Sequence, residues 1–230
     1  GDGGLLDLCP FSNPQTSKPT HSATPARVLV VVAAHEEQRW RSFGPRSFLA
    51  QAFSGGGRHA RYFLGLGHPV TAVDRDVSAM ADLAEEDNAE VTEIDLEDGK
   101  DWPFKRAGFA AIVVSNYLYR PHFDGLIASL EPAGVLLYET FARGNEVFGR
   151  PRNPDHLLAG EELLDLARGR LQIVAYEHGI IGESPPGVKQ RLCAVNDLDL
   201  TIREDGEPGP HPLAPEPHLP PGPDGEDETC

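Results

Sequence analysis

The sequence predicts a doubly wound α/β domain with a mostly parallel, Rossmann-like sheet that closes in an antiparallel hairpin. Short apolar runs typical of strands alternate with amphipathic stretches typical of helices. The glycine-rich turn Ser54–Gly57 stands between a strand-like run and a helical pattern that begins near Arg58. Two last strand-like runs are joined by the segment Gly182–Gly187, whose glycines and prolines are typical of a hairpin connection.

The predicted elements follow each other with short connections. We expect strands at Phe48–Phe53, Val70–Asp74, Val91–Asp95, Phe109–Val114, Val135–Tyr138, Leu171–His178 and Gln190–Val195. The continuous apolar run at Phe109–Val114 indicates a strand covered on both faces. Helices are expected at Arg58–Leu66, at Leu163–Ala167 and from Phe123 to Leu130, where apolar residues recur every three or four positions. Residues 27–34 are apolar enough for another strand, but the regular pattern starts only at Phe48.

This pattern divides the chain into three parts. Residues 1–47 are predicted to be an atypical, poorly ordered N-terminal segment, because the first 26 are rich in Pro, Ser, Thr and Gly. Residues 48–203 form the predicted ligand-binding domain. Residues 204–230 contain eight acids, many prolines and no Lys or Arg, so they are predicted to be a disordered acidic tail.

Charge and composition exclude several classes of partner. The 230 residues carry a formal net charge of −16, which repels phosphate backbones and anionic membrane surfaces. The longest apolar run, Val28–Ala34, is too short to span a bilayer. No basic segment followed by an apolar one is visible near the start, so the cytoplasm is the expected compartment. The cysteines Cys9, Cys193 and Cys230 lack metal-ligand spacing, and no metal is predicted.

The glycine turn and the next strand predict a nucleotide site. The spacing Gly55-x-Gly57-x-x-Ala60 fits a dinucleotide fingerprint, in which glycines let the backbone approach a ligand closely. Asp74 closes the following strand, where a carboxylate can hold the two hydroxyls of a ribose. At this point both a nicotinamide dinucleotide and another nucleoside cofactor fit.

Taken together in order, these segments resemble the class I S-adenosylmethionine (SAM)-dependent methyltransferases, and nearest to them the tellurite-resistance type. The resemblance covers about residues 48–195. It is carried by the segments Gly55–Tyr62, Val73–Asp76, Asp95–Asp98, Ile112–Leu118, Pro132–Leu136 and the final hairpin. It implies SAM as the cofactor and a small molecule as the substrate.

The resemblance implies roles for the first two strand ends. Gly55 and Gly57 are expected to lie against the methionine part of SAM. Asp74 is expected to bind the ribose hydroxyls, with Arg75 beside it at the cofactor.

The later strand ends receive roles in the same way. Asp95 is expected to accept a hydrogen bond from the adenine amino group, with Leu96 next to the ring. Ser115 is expected to face the cofactor near the sulfonium. Tyr117 is expected to face the incoming substrate. Apart from the resemblance, the long polar loop after Val135–Tyr138 is a candidate substrate loop, in which Arg143 is available for an anion.

The expected reaction is methyl transfer to a small-molecule nucleophile, including soft sulfur, selenium or tellurium species. The cofactor carries the reactive group, so no catalytic residue is assigned. One departure is Gln51, which stands where the family carries an acid in the first strand, four positions before the first glycine.

Two rival functions remain at this stage. The first is a non-catalytic or cofactor-weakened domain, which the Gln51 departure favours. The second is an NAD(P)-dependent oxidoreductase with a Tyr-x-x-x-Lys pair. None of the four lysines (Lys18, Lys100, Lys105 and Lys189) stands four residues after a tyrosine, which disfavours that second reading.

Overall fold

The computed structural model of the chain describes residues 27–32, 56–182, 186–200 and 202–211. These residues build one seven-stranded sheet in the order β3-β2-β1-β4-β5-β7-β6. The strands are β1 Val28–Val32, β2 Val70–Asp74, β3 Ala89–Glu93, β4 Phe109–Ser115, β5 Leu130–Phe141, β6 Gln172–Ile181 and β7 Gly187–Val195. The first five pair in parallel, while β7 runs antiparallel to both β5 and β6. The predicted doubly wound sheet with a closing hairpin is confirmed.

Three α-helices accompany the sheet in the described residues: α1 Arg58–Gly65, α2 Phe123–Ala128 and α3 Glu162–Ala167. The stretch after β2 forms two short 3-10 turns at Ser78–Met80 and Leu83–Glu85. The third strand ends at Glu93, so Asp95 lies two residues beyond it.

The first strand of the sheet is not the one predicted. Val28–Val32 lies between β2 and β4 and pairs with both in parallel, in the place assigned to Phe48–Phe53. The predicted boundary between residues 47 and 48 therefore fails, because the sheet already contains Val28–Val32. Phe48–Phe53 and Gln51 lie outside the described residues. The acid expected in the first strand is missing for a simpler reason, since β1 consists of four valines and a leucine.

Two apolar layers cover the faces of the sheet, as alternating side chains in parallel strands require. Leu29, Ile112 and Tyr138 belong to the layer that packs against α2 and α3. Val30 and Leu137 belong to the opposite layer, which packs against α1. Both layers are thus continuous across the central strands, and the polar groups of the site gather at the carboxyl edge.

Part of the predicted tail contacts the domain. Gln172 Nε2 donates to the carbonyl oxygen of Gly209 at 2.8 Å, and His211 Nε2 lies 2.9 Å from Asp197 Oδ2. Ile202 also forms a bridge with Pro208. The expectation of disorder from residue 204 onward is therefore wrong for residues 204–211, and residues 212–230 lie outside the described part.

The described part of the chain was searched for membrane-spanning helices and for clusters of metal-binding side chains. No helix in it is long and apolar enough to cross a membrane. Over the same residues, no group of three or more His, Cys, Asp or Glu side chains is placed to hold a metal ion. Cys193 is buried in β7, within the apolar layer that α1 covers.

We expect Gly57→Ala to lower the free energy of unfolding by about 1–3 kcal/mol. A Cβ at residue 57 would lie 2.8 Å from Met80 Cγ and 2.9 Å from Leu83 Cδ1, and its φ is +73°. Gly65, at the other end of α1, has no atom within 4 Å of such a Cβ. Gly65→Ala should therefore leave stability unchanged or raise it by up to about 1 kcal/mol. Urea denaturation of both variants compares them, and equal stabilities would contradict the packing at Gly57.

Candidate functional site

The candidate site lies at the carboxyl edge of the parallel strands, where ligands of open α/β sheets bind. Asp74 ends β2, and the Ile94 N–H donates to the Asp74 carbonyl oxygen at 2.9 Å, which brings the segment after β3 beside it. Ser115 ends β4 opposite Glu139 of β5. The predicted residues after β2, β3 and β4 therefore share one edge of the sheet.

Gly57 forms the turn into α1 at this edge. Its φ of +73° is a left-handed conformation that glycine adopts without a Cβ clash, and Met80 and Leu83 fill the space where a Cβ would stand. The Arg61 side chain donates to the Gly56 carbonyl oxygen and so holds the turn to the first part of α1. The Cβ side of Gly57 is therefore packed against Met80 and Leu83, which leaves no room for a larger residue. Gly55 lies outside the described residues.

Asp74 is 2% exposed and fixed by its own strand end. Its Oδ1 accepts a hydrogen bond from the backbone N–H of Asp76 at 3.1 Å. Arg75, next to it, is exposed. A carboxylate held at the end of β2 is suited to bind adjacent hydroxyl groups.

The segment after β3 offers a different pair of groups. Asp95 is exposed, and its Oδ1 accepts from the Glu97 N–H at 2.9 Å. Leu96 is 7% exposed and belongs to the apolar layer that packs against α2. A flat ring next to this segment would meet an acidic acceptor and an apolar surface.

Tyr117 is placed in the core rather than at an open surface. It is 4% exposed, its hydroxyl lies 3.1 Å from His122 Nδ1, and His122 Nε2 lies 3.1 Å from the Lys100 carbonyl oxygen. A carbonyl only accepts, so Nε2 carries the proton and Tyr117 donates to Nδ1. Burial raises the pKa of Tyr117 far above its usual value. The Tyr117 hydroxyl is therefore engaged with His122, which joins the segment after β3 to the segment after β4.

Arg143 stands apart from these strand ends. It is exposed in the turn after β5, and its backbone N–H donates to the Leu158 carbonyl oxygen at 2.9 Å. Its charge contributes to lowering the pKa of Glu162, whose main partner is Arg120. The structure brings Asp74, Leu96 and Ser115 to one edge and leaves Arg143 on the surface beside it.

A buried ionic network at this edge was missed in the sequence. Lys189 Nζ donates to Glu139 Oε1 at 2.5 Å and to Asn116 Oδ1 at 2.9 Å. Arg191 Nε donates to Glu139 Oε2 at 2.7 Å. The Asn116 backbone N–H donates to the Glu139 carbonyl oxygen at 2.8 Å, and Lys189 Nζ lies 4.8 Å from the centroid of the Phe141 ring. One carboxylate thus joins β5, β7 and the residue that follows β4.

A sequence signal for this network does exist. Lys189 and Arg191 stand at alternate positions of β7, and Glu139 interrupts the apolar run of β5. Charged residues with strand periodicity on one face indicate that the face is polar there. Only the register of β5 with β7, which places Glu139 opposite Arg191, shows that they form one cluster.

Burial and neighbouring charges set the protonation of this network. Burial alone would raise the pKa of Glu139, but Lys189 and Arg191 together bring it below its usual value. Burial lowers the pKa of Lys189, and the Arg191 charge lowers it further while Glu139 opposes both. His59, buried in α1, has a pKa lowered to about 4 by burial and by the cations Arg58 and Lys189. At neutral pH the carboxylate is therefore charged and the histidine is neutral.

The described residues fit part of what SAM requires. Gly57 provides a left-handed turn into α1, and Asp74 provides a fixed carboxylate at the end of β2. The acid expected in the first strand is absent from Val28–Val32. The ribose and adenine portions are therefore better provided for than the amino acid end.

Comparison with solved structures identifies the fold. The 1,6-didemethyltoxoflavin-N1-methyltransferase of Burkholderia thailandensis, bound to 1,6-didemethyltoxoflavin and S-adenosylhomocysteine (SAH), is 19% identical with a TM-score of 0.50; the alignment covers 75% of this chain and 72% of that chain. TehB from Haemophilus influenzae is 15% identical with a TM-score of 0.51, over 76% of this chain and 58% of that chain. The N-methyltransferase NodS from Bradyrhizobium japonicum, bound to SAH, is 15% identical with a TM-score of 0.51, over 84% and 83%.

These similarities confirm the predicted fold. None of the family models and none of the curated proteins compared matches the chain. At identities of 15–19%, the solved structures show that the chain has the class I SAM-dependent methyltransferase fold. The fold alone does not determine the reaction, which depends on the residues of the site.

The Glu139 network gives a stability prediction. Glu139→Gln should lower the free energy of unfolding by about 3–5 kcal/mol at pH 7, because it leaves Lys189 buried beside Arg191 without their shared carboxylate. The double variant Glu139→Gln/Lys189→Met removes the buried ammonium as well and should recover most of this loss. Urea denaturation of the three proteins measures both effects.

The difference in unfolding free energy between wild type and Glu139→Gln should depend on pH. The pKa of Glu139 is lower in the folded than in the unfolded chain. Its contribution is therefore complete above the unfolded pKa and disappears as the pH falls through the folded one. The stability difference between wild type and Glu139→Gln should shrink in acid. A difference that stays constant from pH 7 into the acid range would contradict the charged state of Glu139.

Proposed function

We propose that this chain is a SAM-dependent methyltransferase that acts on a small molecule. The observation that carries the proposal is the carboxylate of Asp74, buried and held at the carboxyl end of β2. Two of the compared structures with this fold, from Burkholderia thailandensis and Bradyrhizobium japonicum, contain SAH. A close backbone approach followed by a ribose-binding carboxylate is what such a ligand needs.

The proposed cofactor contacts follow the strand ends. Gly57, together with Gly55, lies against the methionine part. Asp74 binds the ribose hydroxyls, with Arg75 beside it. Asp95 accepts from the adenine amino group, and Leu96 packs against the ring. This last pair is supported by an exposed acidic acceptor next to a buried apolar side chain.

The proposed acceptor half of the site lies after β4. When bound, SAM supplies a sulfonium methyl group that a nucleophile displaces in line, leaving the electron pair of the broken bond on sulfur. The chain must align the acceptor at about 3 to 3.5 Å from the methyl carbon and exclude water. Ser115 and Asn116 stand at the end of β4 for this purpose. The assignment of Tyr117 and Arg143 to the substrate stays a prediction, with the Tyr117 hydroxyl already bound to His122.

The partners follow from charge and chemistry. A net charge of −16 opposes nucleic acid. A small-molecule acceptor is supported by the compared methyltransferase from Burkholderia thailandensis, which is bound to 1,6-didemethyltoxoflavin. A soft sulfur, selenium or tellurium nucleophile remains part of the proposal. The cytoplasm remains the proposed compartment.

A second candidate function is a methyltransferase-like domain with weakened cofactor binding. It is favoured by β1, whose valines and leucine supply no acid for the amino group of SAM. A charge-assisted contact of this kind contributes about 1.5–3 kcal/mol. Affinity for SAH separates the two candidates. A domain that lacks the contact to the amino group should bind SAH at least tenfold more weakly than a domain that has it.

We expect Asp74→Asn to weaken SAH binding by about 1.5–3 kcal/mol, or roughly 10- to 150-fold, since it replaces two charge-assisted hydrogen bonds. Isothermal titration calorimetry on the full chain measures the affinity. Asp165→Asn is the matched control, because Asp165 is an exposed acid of α3 that pairs with Arg168. Equal affinities of wild type and Asp74→Asn would remove Asp74 from the cofactor site. Unchanged melting temperatures would show that the effect is local.

A further inference from the structure

The orientation of the Asn116 side chain is fixed by Lys189. A lysine ammonium has three donors and no acceptor, so the Asn116 atom 2.9 Å from Nζ is the carbonyl oxygen Oδ1. The amide nitrogen Nδ2 then stands on the other arm of the amide and points away from Lys189. Across residues 27–32, 56–182, 186–200 and 202–211, no acceptor lies within hydrogen-bond distance of this nitrogen.

Asn116 lies at the carboxyl edge of the sheet, where the candidate site is. Asn116 directly follows the last residue of β4, with φ of +55° and its backbone N–H bound to Glu139. Lys189 is 4% exposed, whereas Asn116 is half-buried. Nδ2 therefore stands on the arm of the amide opposite the buried Lys189, at a half-buried residue of the carboxyl edge.

The charges around Asn116 favour an anion. Lys189 and Arg191 supply two cations to one carboxylate, Glu139, while Glu177 meets Arg191 from the β6 side. His59 of α1 faces the same group and is neutral above about pH 4. With Arg58 of α1, whose charge also acts on Lys189, three cations face the two carboxylates of Glu139 and Glu177, which leaves one net positive charge near the N–H donor.

We propose that Asn116, held by Lys189, selects an anionic methyl acceptor, such as a thiolate, selenolate or carboxylate, over an amine. This inference rests on the proposed function. An anion attacks with one lone pair, accepts a hydrogen bond from Nδ2 with another and is attracted by the cations. A neutral amine uses its single lone pair to attack, so none is left for Nδ2, and an ammonium has none and is repelled. A lone pair of the anion becomes the new bond to carbon, so a neutral product forms without loss of a proton. This agrees with Glu139 being held by two cations and unsuited as a base.

Asn116→Asp tests the proposal with little change of shape. One carboxylate oxygen keeps the contact with Lys189, and the other replaces the N–H donor by an acceptor. Asp also tolerates the left-handed conformation at this position. Lys189→Met is the positioning variant, and Arg168→Gln on the exposed face of α3 is the control.

The first readout is the ratio of methylation of anions to methylation of amines, measured by mass spectrometry. The panel runs from hydrosulfide and methaneselenolate to thiophenolate and benzoate, and from methylamine to benzylamine. Wild type and Arg168→Gln should favour anions at least tenfold. Asn116→Asp should reduce that ratio at least tenfold by raising KM for anions, and Lys189→Met should reduce it at least threefold. General damage to the fold would lower both rates and leave the ratio unchanged.

The second readout does not depend on turnover. In ¹⁵N-labelled protein saturated with SAH, the side-chain amide signals of Asn116 are identified by their loss in Asn116→Asp. Adding thiophenolate or benzoate should shift these signals, and adding benzylamine should not. Calorimetric titration of SAH should give the same affinity within twofold for wild type and Asn116→Asp, because the substitution lies at the acceptor.

The outcomes separate this inference from the proposed function. Absence of SAH binding to wild type would overturn the proposed function itself. Intact SAH binding with preferred methylation of amines, with no methylation of any anion, or with an unchanged ratio in Asn116→Asp would overturn the selection by Asn116. A shifted ratio together with the anion-induced shift of the Asn116 signals would support it.

Discussion

The carboxylate of Glu139 is the group on which the arrangement of the site depends. It binds Lys189 and Arg191 of β7 through its two oxygens, while its backbone carbonyl holds the N–H of Asn116 after β4. Three separate segments meet at this residue, in a layer that is otherwise apolar. Because charges are costly to bury singly, the network holds as a unit and fixes where the segment after β4 stands.

The cofactor half of the site is held by other means. Gly57 depends on Met80 and Leu83 packing where a Cβ would stand, and Asp74 depends on the end of β2 and its bond to Asp76. These contacts involve residues other than Glu139, Lys189 and Arg191. The absence of an acid from β1 concerns the cofactor half of the site.

The sequence predicted what is local and failed where distant segments meet. The turn at Gly57 and the carboxylate at Asp74 follow from glycine content and strand periodicity, and both are found as expected. The first strand was placed next to the glycine turn, although the run Val28–Val32 has the stronger β-branched character. The link between Lys189 and Asn116 spans 73 residues, and only the register of β4, β5 and β7 creates it. The contacts of residues 204–211 with Gln172 and Asp197 are likewise set by the folded sheet.

A crystal structure of the chain with SAH would show directly how the cofactor binds. Both ribose hydroxyls should lie within hydrogen-bond distance of the Asp74 carboxylate, with the adenine beside Leu96 and the sulfur atom on the side of Asn116 Nδ2. SAH bound away from Asp74, or a ribose held by another group and out of reach of the Asp74 carboxylate, would rule out this cofactor site.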